Sequence, residues 1–587
     1  MVQEKPEKEV SLNNVLGQQQ TIYSHLFNSV IERVTGMRKL KGIYNNTLKN
    51  CTEDEFLKKA IQTLKISYDF DEGALKNIPA TGPAIIVANH PFGVQDAILL
   101  NIIISKVRKD YKIMANSFFG SIKPLRDKMI LVDAFRDRNP KNLLAMKKSI
   151  KLLKAGGVLG VFPAGSVSHL EFQKKHFTDS EWSETIAGLV DITGAPVVPI
   201  YFSGRNSLTF NMAGLLHDKI RTMLLPREVM KAKRKIKVLI GRQIKGAYLQ
   251  TFPSRRKITD YLKMRCYLLQ ENKHQKKCAS RRRTLKRIAP SLPVSDLQRE
   301  IDALPPSCKL IDYKEFSVYC TQSRQIPSIL HEIGRLREIT FREVEEGTGD
   351  EVDLDKFDES YLHLFIWSRD LKEVVGAYRM GEVDILSNSG TENLYTSAFY
   401  KYDRQFLDDH KYALEMGRSF IRKEYQRKPY SLLLLWRGIC TYVARNPKYR
   451  YLFGAVSMSD EYDPRSRALT AALLLDRKRQ LKSKYPVDIK INSEVRSFCN
   501  KYNFEDSRDL SELVRGIEED GKDLPVLIKQ YMKLGGCFHS FSIDQDFGNT
   551  LDGLIVVDLT KAPEKSLKQY MGNSAKSYLE YHSKILG

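Results

Sequence analysis

Cysteine is scarce in this 587-residue chain: eight residues, scattered, with no Cys-x-x-Cys pair. That scarcity argues against a disulfide framework and a structural zinc site, and it suits a reducing compartment. Long apolar runs are missing too. No stretch reaches the roughly 18 residues a membrane-spanning helix needs, so any meeting with a membrane is expected at its surface. Met1 to Val10 is charged rather than apolar and does not read as a signal peptide. There is no internal repeat and no zinc-finger or kinase signature. Negative charge is in deficit, with 70 acidic residues against 94 basic ones and a formal charge of +24. Such a surface attracts anions. By itself it does not choose among nucleic acid, an acidic carrier protein and anionic phospholipid.

What is present is enough for two to four globular domains, because the chain exceeds what one core holds. Residues 22–34 place Leu26, Val30, Ile31 and Val34 on one side of a helix, with the basic run Met37-Arg38-Lys39-Leu40-Lys41 after it. Packing on its own domain and lying in a membrane interface are both open readings of that segment. From 60 to 250, short β-like runs (Ala84–Ala88, Lys112–Ala115, Val158–Phe162, Val197–Phe202, Lys237–Ile240) alternate with helical patterns (Ala97–Val107, Pro140–Lys154, Trp182–Thr193), as in an α/β sheet domain. Residues 251–290 carry thirteen Lys or Arg against two acidic residues, and Pro290, Pro293, Pro305 and Pro306 follow. This reads as a junction, either a solvated hinge or a strip for anionic headgroups. A second α/β unit follows. Its expected strands include Tyr361–Trp367, Glu373–Arg379 and Tyr451–Met458, and its expected helices Ile326–Leu336, Phe406–Arg422 and Ser431–Arg445. The expected division is 1–45, an amphipathic helical region; 46–250, the first α/β domain; 251–308, the basic linker; and 309–587, the second α/β domain.

The sharpest string is Val87-Ala88-Asn89-His90-Pro91-Phe92-Gly93-Val94-Gln95-Asp96. His90 stands where a strand ends. Gly93 allows a tight turn. Asp96 stands near a helix start, from which it faces back to the imidazole. One ring nitrogen donates to Asp96, and the other accepts the proton of a hydroxyl that attacks an acyl thioester. The carboxylate fixes the tautomer and offsets charge on the imidazolium. Taken alone, the pair also fits a packed loop histidine. With Phe162-Pro163-Ala164-Gly165 downstream, acyl transfer becomes the leading reading of the front half.

The second half is less explicit. Leu336 to Arg342 follows a helical pattern, and Asp353, Asp355 and Asp358 form an acidic strip. That strip lacks the glycine and terminal glutamate of a calcium loop. Glu415 and Arg418 lie three apart in Leu414-Glu415-Met416-Gly417-Arg418-Ser419-Phe420, on one helix or strand-to-helix face. A structural ion pair is the plain alternative.

The front half, about 35–245, resembles the glycerolipid acyltransferase family, in the branch with one extra residue between His and the acid. His90 and Asp96 match its catalytic pair. Phe162, Pro163 and Gly165 resemble its Phe-Pro-x-Gly element, which handles the acceptor's phosphate. Gly194 to Pro199 and Phe202 to Ser207, with Arg205, match a block near the acyl pocket. Arg136 and Arg138 are candidates for an anionic headgroup. The back half resembles the N-acyltransferase superfamily, in the GNAT-like branch that makes N-acylated amino-acid lipids and is distantly similar to acyl-homoserine-lactone synthases. Arg337, Phe341, Asp353, Asp355, Asp358, Arg379, Glu415 and Arg418 fall at that group's recurrent polar positions.

The fold class implied is α/β, a glycerolipid-acyltransferase-like domain fused to a GNAT-like mixed-sheet domain. The arrangement resembles bifunctional ornithine-lipid synthases or their glycine-lipid relatives. That resemblance implies N-acylation of an amino acid with a 3-hydroxyacyl group, then O-acylation of that hydroxyl. Glu415 would take the amine's proton. Arg337, Arg379 and Arg418 would bind substrate, two of them being candidates for the amino acid's carboxylate or the carrier's phosphate. No metal and no bound cofactor are expected. The donor expected is acyl-acyl carrier protein, an acidic partner suited to a basic surface. The other expected partners are the amino acid, the lyso-aminolipid and an anionic membrane, without nucleic acid. The expected location is peripheral, on the cytoplasmic face of a bacterial inner membrane. The rival reading is a phospholipid-type acyltransferase with a structural second domain.

Overall fold

The computed structural model describes residues 35–133, 140–171, 176–207, 210, 218–231, 235–270, 285–476, 480–487, 491–502, 507–545 and 547–586. The expected helix at 22–34, both Arg136 and Arg138, and most of the densest basic part of the junction (276–287, all but 285–287) lie outside them. Two compact units form: Met1–Asn272 with Asn492–Asn503, and Lys273–Ile491 with Phe504–Gly587. Among the described residues no helix is long and apolar enough to cross a bilayer.

Unit 1 is built on a seven-stranded sheet: β1 (Ser67–Phe70), β2 (Ala84–Ala88), β3 (Tyr111–Asn116), β4 (Met129–Val132), β5 (Val158–Val161), β6 (Val197–Phe202) and β7 (Lys235–Ile240). The order is β1-β7-β6-β2-β5-β3-β4, and every neighbouring pair is parallel except β6 with β7. Central β2 and β5 are buried at every position, as expected of parallel strands covered on both faces. Helices α1 (Val94–Val107), α2 (Pro140–Lys154), α3 (Thr185–Thr193) and α4 (Arg255–Tyr267) connect and cover the sheet. Helix α4, 13 residues long, falls inside the span 251–308 that was expected to be linker. Its Ile258, Leu262 and Cys266 are buried, so an apolar stripe runs under its basic residues. The helix Ser493–Lys501, from far along the chain, completes this unit. Glu494 accepts from Thr178 Oγ1 at 2.7 Å and lies 3.4 Å from Lys263 Nζ. Lys501 and Tyr502 both reach Asp260 at 2.7 Å, and the rings of Phe498 and Tyr261 stand 6.0 Å apart.

Unit 2 holds an eight-stranded sheet: β8 (Lys309–Tyr313), β9 (Phe316–Gln322), β10 (Leu362–Ser368), β11 (Glu373–Glu382), β12 (Ala413–Ile421), β13 (Tyr451–Met458), β14 (Cys537–Asp544) and β15 (Thr550–Asp558), in the order β8-β9-β10-β11-β12-β13-β15-β14. All pairs are antiparallel except β12 with β13. Period-two alternation sorts β10: Leu364 and Ile366 join the core under helix α6 (Pro429–Arg445), while Phe365 and Trp367 pack with Ile329, Ile333 and Leu336 of α5 (Pro327–Arg342). Leu336 to Arg342 therefore does not follow a helix but is its second half, since the stripe Ile329-Ile333-Leu336 continues the helical period. The span Phe406–Arg422, read as helical, is instead a short helix Arg404–Asp409 followed by β12. Pairing to strands on both sides overrides the local pattern.

Candidate active sites

At the end of β2 the chain is pinned from several sides. The Asn89 side chain accepts from Phe202 N–H at 2.7 Å and donates to the Phe202 carbonyl at 3.0 Å, tying β2 to β6. Asp179 accepts from His90 N–H at 3.2 Å, from Ser168 Oγ at 2.5 Å and from Trp182 Nε1 at 2.9 Å. Gly93 has φ 77°, and a Cβ there would lie 3.0 Å from Leu225 Cδ2, so glycine is required at the turn. The turn leads into α1, whose first turn carries Asp96.

His90 Nδ1 stands 3.2 Å from Asp96 Oδ2, with the imidazole 17% exposed and the carboxylate fully buried. The same Oδ2 accepts from the N–H groups of Phe92 (2.8 Å) and Gly93 (3.0 Å). Burial pushes the Asp96 carboxyl up, and the contact with His90 and the two backbone donors pull it down. The Phe162 ring lies 4.2 Å from the imidazole, tilted by 31°, so it walls one side of it. Pro163 is buried and Gly165 is exposed with φ 64°; Gly165 N–H donates to the Phe162 carbonyl at 3.1 Å, closing the turn. Arg205 is exposed and sits 4.7 Å over the Phe177 ring. It lines a small cavity with Asn89, Pro91, Ser168, Tyr201 and Tyr267 beside the His90 loop. An imidazole oriented by a buried acid and partly open to solvent is equipped to take a proton from a hydroxyl.

In unit 2, Arg337 and Arg379 are buried and paired. Arg337 forks onto Asp358 (Nη1 to Oδ1 3.0 Å, Nη2 to Oδ2 2.9 Å) and donates through Nη2 to the Asp353 carbonyl at 2.5 Å. Arg379 Nη1 reaches Asp355 Oδ1 at 2.6 Å and Asp358 Oδ2 at 3.2 Å. Its guanidinium lies 5.3 Å from the Tyr361 ring and 5.1 Å from the Tyr395 ring, and its Nε and Nη2 have no hydrogen-bond partner among the described residues.

Glu415 is also buried. It accepts from the Tyr361 hydroxyl, from Thr396 Oγ1, from Thr396 N–H at 2.7 Å and from Tyr395 N–H at 3.1 Å. Burial and Glu415 together raise the Tyr361 hydroxyl well above the usual phenol range.

Arg418 sits in a bulge. Ala377 pairs with Phe420 and Arg379 with Gly417, so Arg418 and Ser419 together oppose one residue, Tyr378. Its φ is 48°, a strained conformation for arginine. Residues three apart on a regular strand face opposite ways; the extra residue turns Arg418 to the side of Glu415. Its guanidinium lies between the rings of Tyr395 (5.0 Å) and Phe547 (4.9 Å), with Nε 3.4 Å from Asp353 Oδ1. Pairing of β12 with β13 stops at Glu415 opposite Phe453, beyond which the two parallel strands part.

Sequence reasoning passed over Asp179 and Glu346. Asp179 has no motif of its own; only its place 89 residues from His90 gives it meaning. Glu346, in the loop after α5, belongs to no motif that the sequence marks. It lies within electrostatic reach of Asp552, Asp544 and Arg418, and burial first, then Asp552 and Asp544, push its carboxyl up to about 8. The turn at Gly548 lies against that loop, since a Cβ there would meet the Glu345 carbonyl at 2.2 Å. Asp552 is buried and accepts from Thr550 Oγ1 at 3.0 Å. Among the described residues no group of acids, His and Cys is arranged to hold a metal ion.

Comparison with known proteins gives two family matches: the acyltransferase family model at residues 71–203 and the acetyltransferase (GNAT) domain model at 336–437. A glycine N(alpha)-acyltransferase of Phocaeicola vulgatus is 27% identical over 283 residues, covering 45% of this chain and 86% of its own. A lyso-glycine lipid O-acyltransferase of the same organism is 26% identical over 208 residues, covering 33% and 71%. An L-ornithine N(alpha)-acyltransferase of Brucella abortus is 25% identical over 230 residues, covering 37% and 74%.

Proposed function

We propose that this chain, an acyltransferase that joins a glycerolipid-type O-acyltransferase domain to a GNAT-type N-acyltransferase domain, builds an amino-acid lipid with two acyl chains. Unit 2 puts a 3-hydroxyacyl group on the amine, and unit 1 then acylates the hydroxyl. The observation that carries this reading is the pairing in one chain of an oriented imidazole, suited to a hydroxyl, with a buried Arg–Asp–Glu site on a splayed sheet, suited to an amine.

In unit 2 the α-amine attacks the thioester carbon of the donor. A C–N bond forms, the C–S bond breaks, and one amine proton leaves. An aqueous α-amino group titrates near 7.7–8.0, so a base close to neutrality suffices. Glu415 meets the site through Tyr361 and Thr396 and holds them in place; Glu346 is the direct proton acceptor. Arg418, held against its strained backbone by Tyr395, Phe547 and Asp353, faces the carboxylate of the amino acid. In unit 1 the imidazole takes the hydroxyl proton through the nitrogen turned away from Asp96. The oxygen attacks a second thioester, and the proton passes to the departing thiolate. Acyl carrier protein is the donor's vehicle, drawn by the +24 charge. The acceptor of the second step carries a long chain, which places the work at an anionic membrane surface.

The headgroup is ornithine in this reading, because Asp544 and Asp552 stand close enough to Glu346 to raise its carboxyl, and a second, side-chain ammonium nearby offsets such a gathering of acids. Glycine is the second reading, favoured by the names of two relatives. Purified protein given 3-hydroxyacyl carrier protein with ornithine or glycine in competition, followed by mass spectrometry of the lipids, decides between them. Failure to form amide with either, in protein folded by circular dichroism, leaves the rival phospholipid acyltransferase standing.

A further inference from the structure

Among the described residues of unit 1 few large apolar side chains are exposed, and most of those gather. Among its described residues the exposed large hydrophobics are Leu131, Leu143, Leu144 and Ile192. Three of these share one corner. Leu131 lies on β4, the outermost strand, and Leu143 and Leu144 stand in the first turns of α2, 69% and 54% exposed. Asn142 joins the two pieces: it accepts from Asp133 N–H at 2.8 Å and donates to the Asp133 carbonyl at 3.0 Å. Single exposed leucines are ordinary; a cluster on one corner is not.

The outer face of α2 continues as a basic stripe. Ala145, Ser149 and Leu153 are buried at intervals of four. On the other side Lys147, Lys148 and Lys151 are exposed, spaced from Leu143 and Leu144 so as to share their face. None of the three makes an ion pair to a carboxylate among the described residues. Bare leucines gain nothing from water, and beside three lysines with no carboxylate partner they suit an interface of lipid and water.

Its position in the fold gives the corner a direction. Strands β2, β5, β3 and β4 are mutually parallel, so their carboxyl ends lie on one edge of the sheet. His90 follows β2 and Phe162 to Gly165 follow β5, both on that edge. Leu131, near the end of β4, and Leu143 and Leu144, at the start of α2, are on the same edge. Helix α2 then runs away from it. At 1.5 Å per residue Lys147 and Lys151 stand about 6 and 12 Å behind Leu143. An apolar tip with cations at that setback matches the depth, roughly 5–10 Å, to which interfacial helices bury their apolar face, with lysines reaching back to the phosphates.

We propose that the corner formed by Leu131, Leu143 and Leu144, with Lys147, Lys148 and Lys151 behind it, docks unit 1 on an anionic phospholipid bilayer with the His90 edge turned to the lipid. An acceptor that resides in the membrane then meets the imidazole without leaving it. This last step rests on reading unit 1 as an O-acyltransferase of a lipid; the docking does not.

The test is co-sedimentation of the full chain with vesicles of phosphatidylglycerol and phosphatidylethanolamine, which requires no turnover. Leu143→Glu/Leu144→Glu should lower the bound fraction at least about tenfold. Lys147→Gln/Lys148→Gln/Lys151→Gln should do likewise and flatten the salt dependence. Ile192→Glu, at the end of α3 and so at the opposite edge, should bind as the parent does. Ester formation on a short-chain soluble acceptor should survive in all three, which also shows that they fold. A leucine variant that binds like the parent overturns the proposal. So does a parent that ignores the vesicles. A lysine variant that keeps vesicle binding but loses carrier-dependent transfer also overturns it, because the patch is then a dock for an acidic protein. If the parent forms no ester at all yet loses its vesicle binding on the leucine changes, the docking stands and the enzymatic reading falls.

Discussion

Asp96 serves three partners with one oxygen: Oδ2 accepts from the N–H groups of Phe92 and Gly93, which lead into α1, and faces His90 Nδ1. The carboxylate is therefore held in place whether or not the imidazole is charged. His90→Ala should abolish ester formation and leave amide formation near the parent rate, so the mono-acylated product accumulates. Asp96→Asn should lower ester kcat by about 10²–10⁴-fold, since an amide no longer fixes the tautomer. A chromatogram of both products under one set of conditions reads both outcomes. Glu346 carries the residue-scale prediction for unit 2. Its carboxyl is raised to about 8, so it is protonated below that pH and accepts a proton only above it. Amide kcat should climb as pH rises toward 8 and then level. Glu346→Gln should lower it about 10²-fold or more, with KM for the acyl donor unchanged and ester formation intact. If Glu346→Gln retains the parent's amide kcat, the proton goes elsewhere, and Glu415 by way of Tyr361 is next in line.

At the scale of elements, the parting of β12 and β13 is what opens unit 2. Gly454 allows the close approach just past the last pair, where they begin to part: a Cβ there would stand 2.1 Å from the Met416 carbonyl. Gly454→Ala should destabilise unit 2, seen as a lower thermal transition, and cut amide formation while ester formation continues. This is also where the limits of the sequence show. The strands of unit 1 are legible because β2, β5 and β6 are short apolar runs with turn signals at each end. His90 and Asp96 are legible because six residues span one loop and one helical turn. In β12 the same kind of reading fails. Glu415 and Arg418 stand out as a string, yet their spacing suits a helix, and only the bulge at Arg418 puts both on one side of a strand. Nothing local announces a bulge. The roles of Asp179 and Glu346 are likewise set by partners 89 and about 200 residues away and are invisible to any local pattern. The buried pairing of Arg337 with Asp358 was legible as a set of polar positions but not as a set of mutual contacts.

For the whole molecule the two chemistries should be separable yet cooperative. Mixing His90→Ala protein with Glu346→Gln protein should restore the doubly acylated lipid if the intermediate moves through the membrane between molecules. Its absence from the mixture, with each single activity confirmed, means transfer within one chain. The surplus of basic residues predicts that carrier-dependent rates fall as ionic strength rises, because the Debye length shortens from about 10 Å at 0.1 M to about 3 Å at 1 M. Rates with a neutral small thioester should hardly respond.

The helix Ser493–Lys501 sets a schedule for synthesis. The rest of its unit, which holds its docking partners Tyr261, Asp260 and Thr178, is complete at Asn272, 220 residues before Asn492. At about 5–20 residues per second, the nascent first unit waits roughly 10–45 s with that flank bare. A gene cut near residue 272 never ends the wait, so such a fragment should need chaperones or the missing peptide, supplied in trans, to stay in solution.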